Sequence, residues 1–101
     1  MLCAVLSALA AHAAPVQADE KLARSKACLA CHAIDKKQVG PAFGDIALRY
    51  RGSNAAEELL VTKIRQGGAG AWGQVPMAPN PQVSDSEART LVRWILAIQK
   101  K

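Results

Sequence analysis

The stretch Cys28-Leu29-Ala30-Cys31-His32 constrains this chain more than any other. Two thiols three residues apart, with an imidazole directly after them, form the C-x-x-C-H pattern of covalent c-type haem attachment. The spacing has a chemical reason. Each thiol can add to one vinyl group of a porphyrin, and on a helical turn positions 28 and 31 share a face. His32 then follows closely enough for an imidazole nitrogen to bind the iron axially. Two other chemistries share parts of the pattern. C-x-x-C also serves as a disulfide or a thioredoxin-like redox pair, which normally accompanies a βαβ pattern, and no strand-rich stretch is evident here. A zinc knuckle needs a fourth ligand. The remaining His and Cys are His12 and Cys3, both in a segment expected to be removed.

That segment is residues 1–18, MLCAVLSALAAHAAPVQA, which hold no Lys, Arg, Asp or Glu. Its apolar run, Leu2 to Ala14, is shorter than the ~20 residues that cross a bilayer. Small residues follow at Ala11-His12-Ala13 and Val16-Gln17-Ala18. This pattern predicts a secretory signal peptide cut before Asp19, although no Lys or Arg precedes the apolar run. An uncleaved N-terminal anchor is the competing reading. Cleavage removes Cys3 and leaves a domain over 19–101, with no membrane insertion. All 13 Lys and Arg and all 8 Asp and Glu lie in that domain, so its formal charge is +5. A chain this short buries a modest core and often needs a staple. A covalently held haem, one per chain through Cys28 and Cys31, would be that staple.

The rest of the domain reads as all-α. Asp19 can cap a first helix that runs through Leu22, Ala23 and Ala27 to the motif. A polar loop from Ala33 to Gly40 ends at Pro41. Phe43, Ile46, Ala47 and Tyr50 then repeat at helical spacing over about 42–50, and Gly52 ends that helix. Asn54 with Glu57 resembles a capping box for a helix over about 55–66, with Ala56, Leu59, Leu60 and Ile64 on one face. Residues 67–83, GGAGAWGQVPMAPNPQV, hold four of the seven Gly and three of the five Pro, so no regular helix or strand is expected there. A loop this long in a small domain is functional or disordered. Trp72 and Met77 argue for order. Ser84 with Glu87 forms a capping box for a last helix over about 85–99, burying Ala88, Leu91, Val92, Ile95 and Ile98.

An iron bound by His32 has a sixth position to fill. Met77 is the natural candidate, being the one methionine besides Met1 and lying among prolines in the long loop. A thioether is a soft donor, and a His/Met pair raises the reduction potential. A methionine in a small protein otherwise fills core space.

With these residues in place, the chain resembles the short, single-haem bacterial class I cytochromes c that carry electrons to a nitrite reductase or terminal oxidase. The matching stretches are ACLACHAIDKKQVGPAF, AWGQVPMAPN and VSDSEARTLVRWIL, and the likeness covers essentially all of 19–101. The resemblance implies about four helices wrapped around one haem, with the first and last crossing. It implies that His32 and Met77 are the axial ligands and that the Pro41 carbonyl accepts a hydrogen bond from the histidine. It implies that Trp72 donates to a haem propionate and that Asn80 orients the methionine. Lys63 stands where relatives often carry an arginine near a propionate; a lysine keeps the charge and loses the planar fork. Ala23 stands where relatives often have a bulky aromatic at the helix crossing.

The function expected is that of a monomeric periplasmic electron carrier, not an enzyme, between an upstream cytochrome complex and a downstream nitrite reductase or terminal oxidase. A haem-based gas sensor or peroxidase-like protein with a displaceable Met77 is the alternative. Lys21, Arg24, Lys26, Lys36, Lys37, Arg49, Arg51 and Arg65 would steer the carrier to an acidic partner, or would only keep it soluble. The charge is modest and no nucleic-acid recognition motif is present, which argues against nucleic-acid binding.

Overall fold

The computed structural model describes residues 16–100. Among them are four α-helices: α1 Val16–Ser25, α2 Phe43–Tyr50, α3 Ala56–Gln66 and α4 Asp85–Leu96. A short 3₁₀ turn, Cys28–Ala30, follows α1, and a hairpin of β1 Gly68–Gly70 with β2 Gly73–Met77 separates α3 from α4. The class is all-α, as expected. The apolar run Leu2–Ala14, with Cys3 and His12, lies outside the described residues.

Helix α4 is the hub, in contact with α1, α2 and α3. It starts where the sequence says it should. Ser84 Oγ accepts from the Glu87 amide at 3.1 Å, and Glu87 Oε1 accepts from the Ser84 amide at 3.0 Å. That reciprocal box satisfies two amides that a helix start leaves unpaired. Leu91, Val92 and Ile95 carry its apolar face, and Trp94 is buried as well. The helix stops at Leu96, short of the expected 99. Its last turn tightens, with the amides of Ala97 and Ile98 reaching the carbonyls three residues back, Trp94 at 3.2 Å and Ile95 at 3.1 Å.

Four other expectations need correction. Helix α1 begins at Val16, so Asp19 sits in its first turn and does not cap it. Its carboxylate still favours that end of the helix dipole. Helix α3 has Ala55 as its N-cap, with no side-chain cap. The Asn54–Glu57 box does not form because Glu57 is used elsewhere: it pairs with Arg93 and Arg89 of α4. The hydrogen bond from Arg93 holds the Glu57 carboxyl below its ordinary range. The face of α3 is also rotated. Val61 is buried while Leu59 is 49% exposed, so the inward stripe runs Ala56, Leu60, Val61, Ile64 at helical spacing.

The loop 67–83 holds the fourth correction, an antiparallel hairpin that pairs Gly68 with Met77 and Gly70 with Gly73 around a break in register. Its ladder is built from backbone groups. No alternation of apolar and polar side chains accompanies it, which is why the sequence shows no strand signal.

Candidate functional site

The motif sits on the 3₁₀ turn. The His32 amide closes on the Cys28 carbonyl at 3.0 Å, which puts both cysteines and the histidine on one tight bend. Cys28 and Cys31 are free, the first half-buried and the second exposed. Burial pushes the Cys28 thiol above its ordinary value, and the neighbouring Cys31 adds to this. A neutral sulfur suits that half-buried position. Ala27, which leads into the turn, has φ +66°, a left-handed conformation that a β-carbon disfavours.

His32 is only 8% exposed, and its ring is held by Pro41, Phe43 and Gly40. Nδ1 lies 2.7 Å from the Pro41 carbonyl oxygen. A carbonyl can only accept, so Nδ1 carries the proton and Nε2 presents a lone pair. Phe43 stacks on the ring at 5.0 Å, 21° from parallel, and Trp94 meets Phe43 edge-on at 5.6 Å. Gly40 lies against the imidazole: a β-carbon there would stand 2.5 Å from Cε1 and 3.0 Å from Nε2.

Met77 ends β2 and packs, half-buried, against the core. Gly67 makes its placement feasible. Its φ of +70° and ψ of −155° lie in a region that glycine alone occupies comfortably. A β-carbon there would stand 2.4 Å from the Met77 carbonyl oxygen. Asn80 fastens the chain beyond. Its amide and its Nδ2 both donate to the Ile64 carbonyl, at 3.1 and 2.9 Å, and Nδ2 also donates to Ala78 O at 3.2 Å. Both side-chain N–H groups are thereby given to backbone, so Asn80 fastens the loop that follows Met77.

Gln82 ties this loop to the motif. Its Nε2 donates to Asn80 Oδ1 at 3.1 Å and to Lys26 O at 3.3 Å, while Lys26 Nζ donates back to Gln82 O at 3.2 Å. Lys26 also pairs with Glu87 at 3.1 Å.

These segments enclose a cleft of about 410 Å³, lined by Cys28, Cys31, His32 and Met77 and by apolar walls that include Ile46 and Ile64. Lys63, Trp72, Pro41 and Asn80 line the same cleft. All eight residues expected at the site are thus brought together. The volume is in the range of cofactor sites. The donor set comprises two free thiols, an imidazole with a fixed tautomer and a thioether, which is the chemistry that a covalently bound haem requires. Among the described residues no group of three or more His, Cys, Asp or Glu side chains gathers to hold a metal ion.

The sequence comparisons agree with this geometry. The family model for cytochrome c matches residues 17–99. The chain belongs to the cytochrome c family. Cytochrome c-552 of Hydrogenobacter thermophilus is 49% identical over 82 residues, 81% of this chain and 83% of the relative. Cytochrome c-551 of Pseudomonas aeruginosa is 47% identical over 89 residues, 88% of this chain and 85% of the relative. The crystal structure of Nitrosomonas europaea cytochrome c552 superposes with a TM-score of 0.77 at 45% identity, covering 79% of this chain and 99% of that one. This cytochrome is therefore a small single-haem protein of class I, and its cofactor is haem c, attached through Cys28 and Cys31.

Several residues that shape the cytochrome site carry no sequence signal of their own. Gly40 and Gly67 matter through the space they leave, and Gln82 through a contact 56 positions away. Phe43 was legible as core but not as the ring that backs His32.

Proposed function

We propose that this cytochrome is a periplasmic carrier of single electrons, with His32 and Met77 as the two axial ligands. The reading rests on the convergence of both side chains and both motif thiols on one cleft. When bound, haem c supplies reversible one-electron chemistry at its iron. Cys28 and Cys31 would hold the ring by thioether bonds. His32 would bind iron through Nε2, and the Pro41 carbonyl fixes its orientation and raises its basicity. Met77 would supply the soft donor that favours ferrous iron. Lys63 and Trp72 would face the acidic substituents of the haem. If both bind, His32 and Met77 would leave no open position for a substrate, which fits a carrier and not an enzyme.

Residues 1–18 would direct export, giving a mature chain that begins at Asp19. A different N-terminus on the exported protein would move that boundary. Among the described residues no helix is long and apolar enough to cross a membrane.

Partners would be an upstream cytochrome complex and a downstream nitrite reductase or terminal oxidase. The charge layout supports an acidic partner surface. Glu57, Glu58 and Asp85 are engaged by Arg89 and Arg93, and Glu87 by Lys26. Lys37 and Lys63 line the cleft. Arg24 and Lys26, which the sequence offers for steering, are paired within the chain and contribute less. Transfer to the acceptor should slow as ionic strength rises. A rate indifferent to salt would overturn the steering.

The ferric absorption spectrum tests the axial assignment. A weak near-red sulfur-to-iron band is expected in the wild type. In Met77→Ala the band should vanish and the potential should fall markedly. A wild-type protein without the band, binding carbon monoxide rapidly when ferrous, would be the sensor or peroxidase-like protein instead.

A further inference from the structure

The hairpin that carries Met77 has little of its own to hold it. β1 is Gly-Ala-Gly and exposed along its length, and β2 is exposed up to Met77. Gly70 and Gly73, which flank the turn Ala71-Trp72, have φ values of +111° and +109°. Ala69, Trp72, Val75 and Pro76 line the cleft, so a bound haem would cover one face of the hairpin; a two-stranded hairpin is otherwise marginal in water. Groups outside it must fix its position. The base lies against Gly67. At the tip, Arg49 reaches across from α2. Its Nη1 donates to the Ala71 carbonyl. Its guanidinium carbon lies 4.5 Å from the centroid of the Trp72 ring, and 5.8 Å from that of Tyr50 on its own helix. A planar guanidinium can lie over an indole and donate to a carbonyl at once. An ammonium keeps the charge but cannot reproduce the flat contact.

We propose that Arg49 is a positioning residue for the Met77 ligand. It clamps the tip of the hairpin and so keeps the sulfur in the cleft. The inference rests on the reading of Met77 as an axial ligand. The two contacts are complementary. The bond to Ala71 fixes the backbone of the turn, and the contact with Trp72 fixes the side chain beside it. Trp72 does not belong to the packed core and stays 44% exposed with Arg49 beside it, so the guanidinium is one of the few protein contacts its ring has. Loss of the clamp should raise the fraction of molecules in which the hairpin has swung away, without unfolding the helices.

Added imidazole reports that fraction. It can bind the ferric iron only when Met77 is away, so its apparent affinity scales with the open population. The experiment is an imidazole titration of ferric holoprotein for the wild type, Arg49→Gln, Arg49→Lys and the control Arg51→Gln, whose residue is exposed at the end of the same helix. Both Arg49 variants should bind imidazole about tenfold more tightly, equivalent to ~1.4 kcal/mol, with unchanged helical circular dichroism. Arg51→Gln should match the wild type. Wild-type affinity in Arg49→Gln would overturn the clamp. Wild-type affinity in Arg49→Lys would also overturn it, by showing that charge alone suffices. An equal rise in Arg51→Gln would assign the effect to general surface charge. Failure of the underlying reading looks different: the wild type itself would lack the near-red sulfur band.

Discussion

The two sides of the cleft are built by different means. His32 stands in the core, with the Pro41 carbonyl on one nitrogen, Gly40 against its ring and the Phe43–Trp94 pair behind it. Met77 stands at the end of an exposed, glycine-rich strand, held by Gly67, by the Asn80 loop and by Arg49 at the far tip. One side chain is fixed by packing, which is dense and hard to deform. The other is fixed by a few polar tethers and by close backbone approach. Local opening draws on the least packed parts of a fold. The Met77 side should therefore open first, while the His32 side persists until the core unfolds.

Two glycines break this contrast most sharply. Gly67→Ala places a β-carbon against the Met77 carbonyl and forces alanine into a glycine-only conformation. Strain and overpacking together should cost roughly 3–4 kcal/mol, and the near-red band should be lost while the helices remain. Gly40→Ala strikes the imidazole instead. It should cost roughly 1–3 kcal/mol, seen as a lower denaturation midpoint, with the sulfur band kept in the folded protein. If Gly40→Ala lost the band and Gly67→Ala kept it, the contrast would be the reverse of the one described.

A gentler change sharpens it. Ala27 holds a left-handed φ at the entrance to the motif. Ala27→Gly should stabilise the protein by about 1 kcal/mol, measured by denaturant unfolding. Its imidazole affinity should not change, because the strain lies on the His32 side. A rise in that affinity would mean that the two sides are coupled through the Lys26–Gln82 contact.

The same contrast explains what the sequence revealed. Cys28, Cys31 and His32 were legible because their chemistry demands a fixed spacing. Met77 stood out because it is isolated among prolines, and it lines the cleft. The helices α2 and α4 showed their apolar faces directly, and the Ser84–Glu87 box marked a boundary correctly. The hairpin was not legible, because backbone bonds between glycines leave no side-chain pattern. The Asn54–Glu57 cap misled because a local rule cannot see Arg93, 36 residues away, taking the Glu57 carboxylate. Leu59 and Val61 are both apolar, and only the position of α4 decides which one faces inward. Gly40 and Gly67 are invisible to any rule of composition, since their role is the absence of a β-carbon at one place. Arg49 read as one of many surface cations until the hairpin tip came to rest beneath it.

Helix α4, which touches all three other helices, also has a consequence for how the molecule is made. A chain emerges from its N-terminus, so Cys28–His32 appear about fifty residues before α4 begins. The element that closes the core comes last. Until then nothing can shut the pocket over the two thiols. The order of residues along the chain thus leaves an interval in which a bulky, flat group can be brought to Cys28 and Cys31 and bonded, before the final helix docks and turns an open strip of polypeptide into a walled chamber.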